Sequence, residues 1–352
     1  MRDKIKIAII CKGIQDFDID QNIKYNHKPK AGDVAVFEVL ELGKHSSIQG
    51  LNGNNRYIFP GDIIMAAFGS RYATGQLEGL VPKKYCENYQ ILGKGGAIGV
   101  ITSMHAKLAA KGPTQLRMIG YATKDGKVIN TKYLSHKRSR FNPQKKRKSK
   151  VILSLGASMD SGKTTTAAYL CRGMSRSAKV AYFKLTGTVY AKDRSLVRDC
   201  GACFVSDFST LGYPSTYLCS RTELLDLYES LTNLTSKYNP EYTIVEIADG
   251  LLQRETSMLL QHKPFLATVD SVVFSGGDSM SALLGYNMLT EWGVKPAAVG
   301  GLFTASPLLA REVEEVVDIP ILNLDGLSDP NVIHIFDPTK NKVTVELANS
   351  YN

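Results

Sequence analysis

The ten residues Gly156, Ala157, Ser158, Met159, Asp160, Ser161, Gly162, Lys163, Thr164 and Thr165 constrain this chain more than any other stretch. From Ala157 to Thr164 they fit the spacing of a phosphate-binding loop, with Ala where Gly is usual and Gly156 just ahead. Small residues let the backbone curl so that successive N–H groups face a phosphate. A helix opening near Lys163 adds the positive end of its dipole. Lys163 is then placed to reach β- and γ-phosphates, and the Thr164 hydroxyl to ligate Mg²⁺. Such a loop belongs between the end of a buried strand and the start of a helix. The apolar run 151–155 and the helix-forming run 164–174 supply both.

Strand and helix patterns go on alternating after this loop. Strands are expected at 179–185, 242–247, 271–274, 297–299 and 319–322, and helices at 223–234, 279–292 and 307–317. That alternation implies an α/β fold over residues 151–352, a mostly parallel sheet with helices on both faces. A chain of 352 residues has room for two domains, and its first part has a different texture. Apolar, β-branched runs at 34–42 and 63–68 each follow a Gly- and Asp-containing turn, the pattern of a small mostly-β, barrel-like domain over 1–134. The first twelve residues read as its opening strand, since their apolar run is too short for a signal peptide. The glycine-rich stretch 93–99 reads as a turn or bulge rather than a phosphate site.

The formal net charge of +10 conceals a division. Residues 1–150 carry 27 Lys/Arg against 11 Asp/Glu, whereas the remainder carries 16 against 22. Eight of the basic residues fall in 137–150, inside a stretch, 135–150, that lacks apolar periodicity and reads as the linker between the domains. It suits a solvated tether and contact with nucleic acid or another polyanion equally well. Tyr57, Phe59, Phe68, Tyr72, Tyr85 and Tyr89 interleave with Arg56, Arg71, Lys83 and Lys84. That mixture would suit base stacking, but a barrel core is the expected use. Six scattered cysteines form no disulfide framework, which points to a reducing compartment. Cys200 and Cys203 lack the further ligands of a zinc site and read as two small buried residues. No run approaches the ~18 apolar residues of a membrane span, so a cytoplasmic protein without a membrane partner is expected.

A phosphate loop is completed by an acid at the end of another strand, which holds or organises Mg²⁺. Glu246 and Asp249, in Val245-Glu246-Ile247-Ala248-Asp249-Gly250, stand where such a strand ends. Buried carboxylates are costly there without a cation. Three further features join the loop: its acid Asp160, the run Lys184-Leu185-Thr186-Gly187 closing the next strand, and Asp193. With these, residues 151–325 resemble dethiobiotin synthetase and the related cobyrinate amidoligases, P-loop NTPases of the MinD-like class. Residues 1–150 take no part in the resemblance.

The resemblance implies an ATP- and Mg²⁺-dependent ligase or phosphotransferase acting on a small carboxylate- or amine-bearing substrate. A carboxylate or carbamate would be phosphorylated, and a nitrogen would attack the mixed anhydride. Lys163, Lys184, Asp160 and Glu246 are then the expected catalytic set, with Lys184 on the transferred phosphoryl group and Asp160 beside the metal or substrate. Thr164, Asp193, Glu246 and Asp249 are the expected metal set, and 207–216 the substrate-side loop. The family's purine-reading Asn is not evident in 300–307, so GTP stays open beside ATP. A glutamine-hydrolysing domain like that of the cobyrinate enzymes is not expected, and Ser158 and Met159 stand where MinD-type switches carry an extra Lys. After Gly250, Gln253 or Arg254 could be presented to the site or could simply begin a helix. Two alternatives remain open: an NTPase switch that binds nucleic acid through the basic half, and a polynucleotide kinase, whose layout also sets a β-rich domain before a P-loop domain. A homo-oligomer is the expected assembly.

Overall fold

Residues 4–134 and 138–339 are described in the computed structural model, and they gather into two units. The first comprises the described residues up to Arg138 with Gly187–Lys192 and Asp207–Cys219; the second comprises the other described residues. The domains therefore differ from the contiguous blocks 1–134 and 151–352 read from the sequence. Two segments from beyond residue 150 belong with the N-terminal part because their apolar side chains, Val189, Phe208, Leu211 and Tyr213, are buried there. Hydrogen bonds fasten them as well: Ala191 N donates to Gln49 Oε1 at 2.9 Å, and Thr131 Oγ1 to Gly212 O at 2.6 Å.

The first unit is built on a closed ring of five strands. Val34–Glu41 pairs antiparallel with Ile63–Phe68 and with Gln115–Lys124, which runs antiparallel to Tyr89–Gly93. Ala97–Met104 turns back along Tyr89–Gly93 and closes the ring parallel to Ile63–Phe68. Closure leaves no open edge within the ring. Phe37, Phe68 and Tyr89 meet inside it with ring centroids 5.5 to 5.8 Å apart. The core reading of the aromatics holds for Phe68 and Tyr89 but not for Tyr57 and Phe59, which are 70% and 60% exposed, nor for exposed Tyr72. The opening strand is shorter than expected, Lys6–Ile7 only, because Ile10 N turns to Gly95 O and the chain coils through Ile9–Cys11. Stretch 93–99 is a hairpin turn, and a Cβ on Gly95 would press on the Val189 backbone.

The second unit is a six-stranded sheet: β1 (Lys150–Gly156), β2 (Val180–Lys184), β3 (Phe204–Asp207), β4 (Tyr242–Glu246), β5 (Ser271–Gly276) and β6 (Ala298–Gly301). Its order is β3-β2-β4-β1-β5-β6, and β2, β4, β1, β5 and β6 pair in parallel. β1 is central and covered on both faces, as its unbroken run Val151-Ile152-Leu153 requires. Helices α1 (Lys163–Met174), α2 (Ala191–Asp199), α3 (Arg221–Ser236), α4 (Arg254–Leu260), α5 (Ser279–Glu291) and α6 (Pro307–Glu314) join the strands, and α1, α3 and α5 pack on the sheet. Cys171 of α1 and Cys200 are buried in the core, whereas Cys203 is only partly buried, unlike the sequence reading. Three of these elements escaped the pattern reading: β3 is short, α2 is highly charged, and α4 fills the stretch after Gly250 where only a possible helix start was read. The strand expected at 319–322 is a single bridge, Val299 to Ile321, because Pro320 has no N–H to extend a ladder.

The basic stretch is also not a free tether. Ser139 N donates to Ser230 Oγ and Phe141 N to Asp226 Oδ1, each at 2.9 Å, so the chain is strapped along α3. Lys145 and Arg147 converge on Glu229, which is 1% exposed, at 3.0 and 2.7 Å. Ser135, His136 and Lys137 lie outside the described residues.

Candidate functional site

Everything in the site hangs from the C-terminal ends of β1, β2 and β4. Parallel register sets Ser154 of β1 and Lys184 of β2 beside Glu246 of β4. From Gly156 the chain turns through Ala157–Ser161 and enters α1 at Gly162, whose φ of +94° an L side chain rarely adopts. Exposed Asp160 also takes a positive φ, +61°. Ser154 Oγ donates to Lys163 O at 3.1 Å, anchoring the first turn of α1 to β1. The segment after β4 closes on the loop. A Cβ on Gly250 would lie 2.7 Å from Ser158 Cα, and Leu251 N donates to Ala157 O at 3.3 Å. From the far side, Leu302 N donates to Ser161 O at 3.1 Å.

Inside this frame runs a chain of polar contacts. Glu246 is fully buried and accepts from Thr164 Oγ1 at 3.0 Å, from Tyr182 OH at 2.8 Å and from Lys184 Nζ at 3.0 Å. Lys184 Nζ reaches on to Asp193 Oδ2 at 2.7 Å. Burial alone would push the Glu246 carboxyl up, but the Lys184 charge and these hydrogen bonds hold it below its ordinary value. Lys184 is raised for the mirror reason: burial disfavours its charge, and Glu246 and Asp193 more than compensate. Lys163 behaves differently. Burial lowers it, against the pull of Glu246, Asp249 and Asp160, and its ammonium rests on Ser158 O at 2.5 Å and Ser161 Oγ at 3.4 Å. The loop thus holds a desolvated cation bonded mainly to its own backbone, an arrangement that an incoming anion improves.

The structure joins Thr164, Glu246, Lys184 and Asp193 by direct contacts, whereas Lys163 bonds only within its own loop and Glu246, Asp249 and Asp160 act on it through their charges. Among the described residues no three His, Cys, Asp or Glu side chains form a metal-holding group, so Asp193, Glu246 and Asp249 are not gathered into a cage. Thr164 and Glu246 do present adjacent hard oxygens, the donor type that Mg²⁺ takes. Gln253 and Arg254 both bond to buried Glu255. Tyr182 is not picked out by the sequence reading, which names Thr186 only within the run 184–187 and gives it no role. Tyr182 lies two residues before Lys184, hence on the same face of β2, and that period was the available signal. Thr186 brackets Ala248, accepting from its N–H at 2.8 Å and donating to its carbonyl.

No protein-family model matches this chain, and no curated protein matches it. Among solved structures it is similar to the signal recognition particle receptor FtsY from Elizabethkingia anophelis in complex with GDP, at 16% identity and TM-score 0.36 over 55% of this chain and 66% of that one. It is similar to a DUF1611 family protein from Anabaena variabilis at 12% identity and TM-score 0.38, over 61% of this chain and 63% of the other. A ParA family ATPase from Chlorobium tepidum matches at 15% identity and TM-score 0.31, over 54% of this chain and 92% of that chain. The chain spans less than two thirds of the length of the first two. The site therefore stands on its own geometry.

Proposed function

We propose that the second unit binds a nucleoside triphosphate with Mg²⁺ and transfers its terminal phosphoryl group to a small carboxylate- or amine-bearing substrate, as an ATP-dependent ligase does. The observation that carries this reading is the chain Thr164–Glu246–Lys184–Asp193. It holds a second lysine, locked between two carboxylates, one residue away from the hydroxyl that a P-loop uses on its metal. Lys163 and Thr164 would hold the phosphates and the metal, with Glu246 organising the metal through Thr164. Mg²⁺, when bound, supplies neutralisation of charge shared by the terminal phosphates. Lys184 keeps its proton throughout the working pH range and so presents a fixed positive charge to a developing one. The test is phosphate release by the full chain with ATP or GTP, against a panel of small carboxylates and amines, beside Lys163→Ala. Stimulation by a panel member is expected; none, even with a metabolite extract, defeats the reading.

A second reading, nucleic-acid binding by the barrel, is favoured by exposed Tyr57 and Phe59 beside exposed Arg56. The engagement of Lys145 and Arg147 with Glu229 leaves the 137–150 run fewer free charges for that role. Salt-sensitive binding of single-stranded RNA or DNA, weakened by Tyr57→Ala, would support it. Label transfer from ATP to a 5′-hydroxyl end would identify a polynucleotide kinase.

A further inference from the structure

Between β2 and α2 the chain leaves the candidate site and returns to it. Lys184 closes β2, Asp193 lies in the first turn of α2, and their side chains meet at 2.7 Å. The intervening residues 187–192 belong to the barrel unit. There Val189 is buried and its N–H donates to Pro214 O at 3.0 Å, while a Cβ on Gly95 would run into its carbonyl oxygen.

One side chain of the barrel ties this excursion down at the start of α2. Gln49, which ends the strand Ser47–Gln49, is fully buried. Its main-chain N–H donates to Lys94 O at 2.7 Å, on the glycine-rich hairpin, and its Nε2 donates to Gly53 O at 3.0 Å. With the amide oriented by those bonds, Oε1 accepts from Ala191 N at 2.9 Å. Ala191 opens α2, and the first N–H groups of a helix have no partner within it. Gln49 therefore caps the helix from a distant part of the chain, and the cap pairs its own buried amide. Asp193 follows Ala191 by two residues on the same helix, so fixing the Ala191 N–H fixes where the Asp193 carboxylate can reach.

Lys184 makes that placement matter. An ammonium has three N–H donors. Two of them go to Glu246 at 3.0 Å and Asp193 at 2.7 Å, and together they set the direction of the third. Glu246 is held by the register of the sheet, whereas Asp193 is held through the start of α2. With Asp193 out of place the ammonium is free to pivot about its bond to Glu246. A misplacement of about 1 Å is enough to cost a reacting group on the order of a hundredfold in rate.

We propose, on the reading above that Lys184 addresses the terminal phosphoryl group, that Gln49 is a positioning residue for that group: by capping α2 at Ala191 it places Asp193, and through Asp193 the remaining N–H of Lys184. The barrel thereby takes part in a reaction whose contacting residues all belong to the second unit.

The experiment is calorimetric titration of the full chain with Mg²⁺ and either a β,γ-imido nucleoside triphosphate or the diphosphate, in adenine and guanine forms. The quantity read is the ratio of the two dissociation constants for the base that binds. Gln49→Met keeps the side-chain bulk and removes the acceptor. It should shift that ratio at least fivefold against the triphosphate and change the diphosphate value less than twofold, whereas lost packing alone would weaken both nucleotides together. Asp193→Ala should give the same shift, and the double variant no more than Asp193→Ala by itself. If Gln49→Met does not fold, Ala191→Pro deletes the same hydrogen bond at a helix position that proline favours, and the same fivefold shift is required of it. A smaller shift, or shifts that add in the double variant, overturns the proposal; if Lys184→Met still shifts the ratio, the reading of Lys184 stands without it. An unchanged ratio in Lys184→Met, or no nucleotide binding by the wild type, overturns both.

Discussion

Replacing Lys184 by Met removes the cation but keeps the side-chain length, leaving Glu246 buried with only the Thr164 and Tyr182 hydroxyls as donors. Breaking a buried ion pair by deleting one partner costs about 3–5 kcal/mol. Two surviving hydrogen bonds place this case at the low end, about 3 kcal/mol. Asp193, the other partner, keeps 27% of its side-chain exposure and is expected to add little. For a unit of this size a loss of that order lowers the melting temperature by about 6–12 °C. The pH dependence has a definite sign. In the native protein the depressed Glu246 carboxyl stabilises the fold above its unfolded pKa, and that contribution is lost as pH falls through the folded value. Without Lys184, burial dominates and raises the same carboxyl, so the variant loses stability as pH rises. The gap between the two proteins therefore widens from pH 5 to pH 7. Urea melts of the wild type, Lys184→Met, Glu246→Gln and the double variant at both pH values form the assay. The double variant, which removes both members of the buried pair, should recover to within about 1–2 kcal/mol of the wild type. A single-variant loss below about 1 kcal/mol at pH 7, or additive losses in the cycle, would refute the reasoning.

Lys163→Ala should abolish nucleotide binding in equilibrium dialysis yet leave the nucleotide-free melting temperature equal or higher, since it deletes a cation that burial disfavours; a marked fall would contradict this. Gly250→Ala drives a Cβ into Ala157 O and Ser158, so calorimetry should show at least tenfold weaker nucleotide binding, with a stability loss of about 1–3 kcal/mol. Glu229→Gln should cost about 3 kcal/mol and free the basic strap, so trypsin should cut within 139–150 in the variant well before it does in the wild type. Equal cleavage of both proteins would show that the ion pairs do not hold the strap.

The strand–loop–helix turn at 156–165 was legible because it is a local backbone conformation: small residues, a glycine at positive φ, and a lysine and threonine opening a helix sit within ten consecutive residues. Most strands of the second sheet were legible for a related reason, since burial on both faces demands unbroken apolar runs such as Val151 to Leu153. Tyr182 was within reach of the same logic, through its two-residue spacing from Lys184. Glu246 could be picked out as a strand-end acid, but nothing local revealed that it accepts from Thr164, Tyr182 and Lys184 at once. That depends on parallel register among three strands far apart in the chain. The basic stretch misled for the same reason: its partner Glu229 lies on a helix whose inward face composition alone does not reveal. Likewise, the aromatics of the first unit divide between core and surface only once the ring of strands closes, which buries Phe68 and Tyr89 and leaves Tyr57 and Phe59 outside. The sequence by itself determined where a tight strand-to-helix loop and a parallel sheet must form, because those are short-range matters of backbone and periodicity. Only the tertiary structure decided which charges meet, because a buried ion pair depends on distances between residues that the chain brings together from far apart.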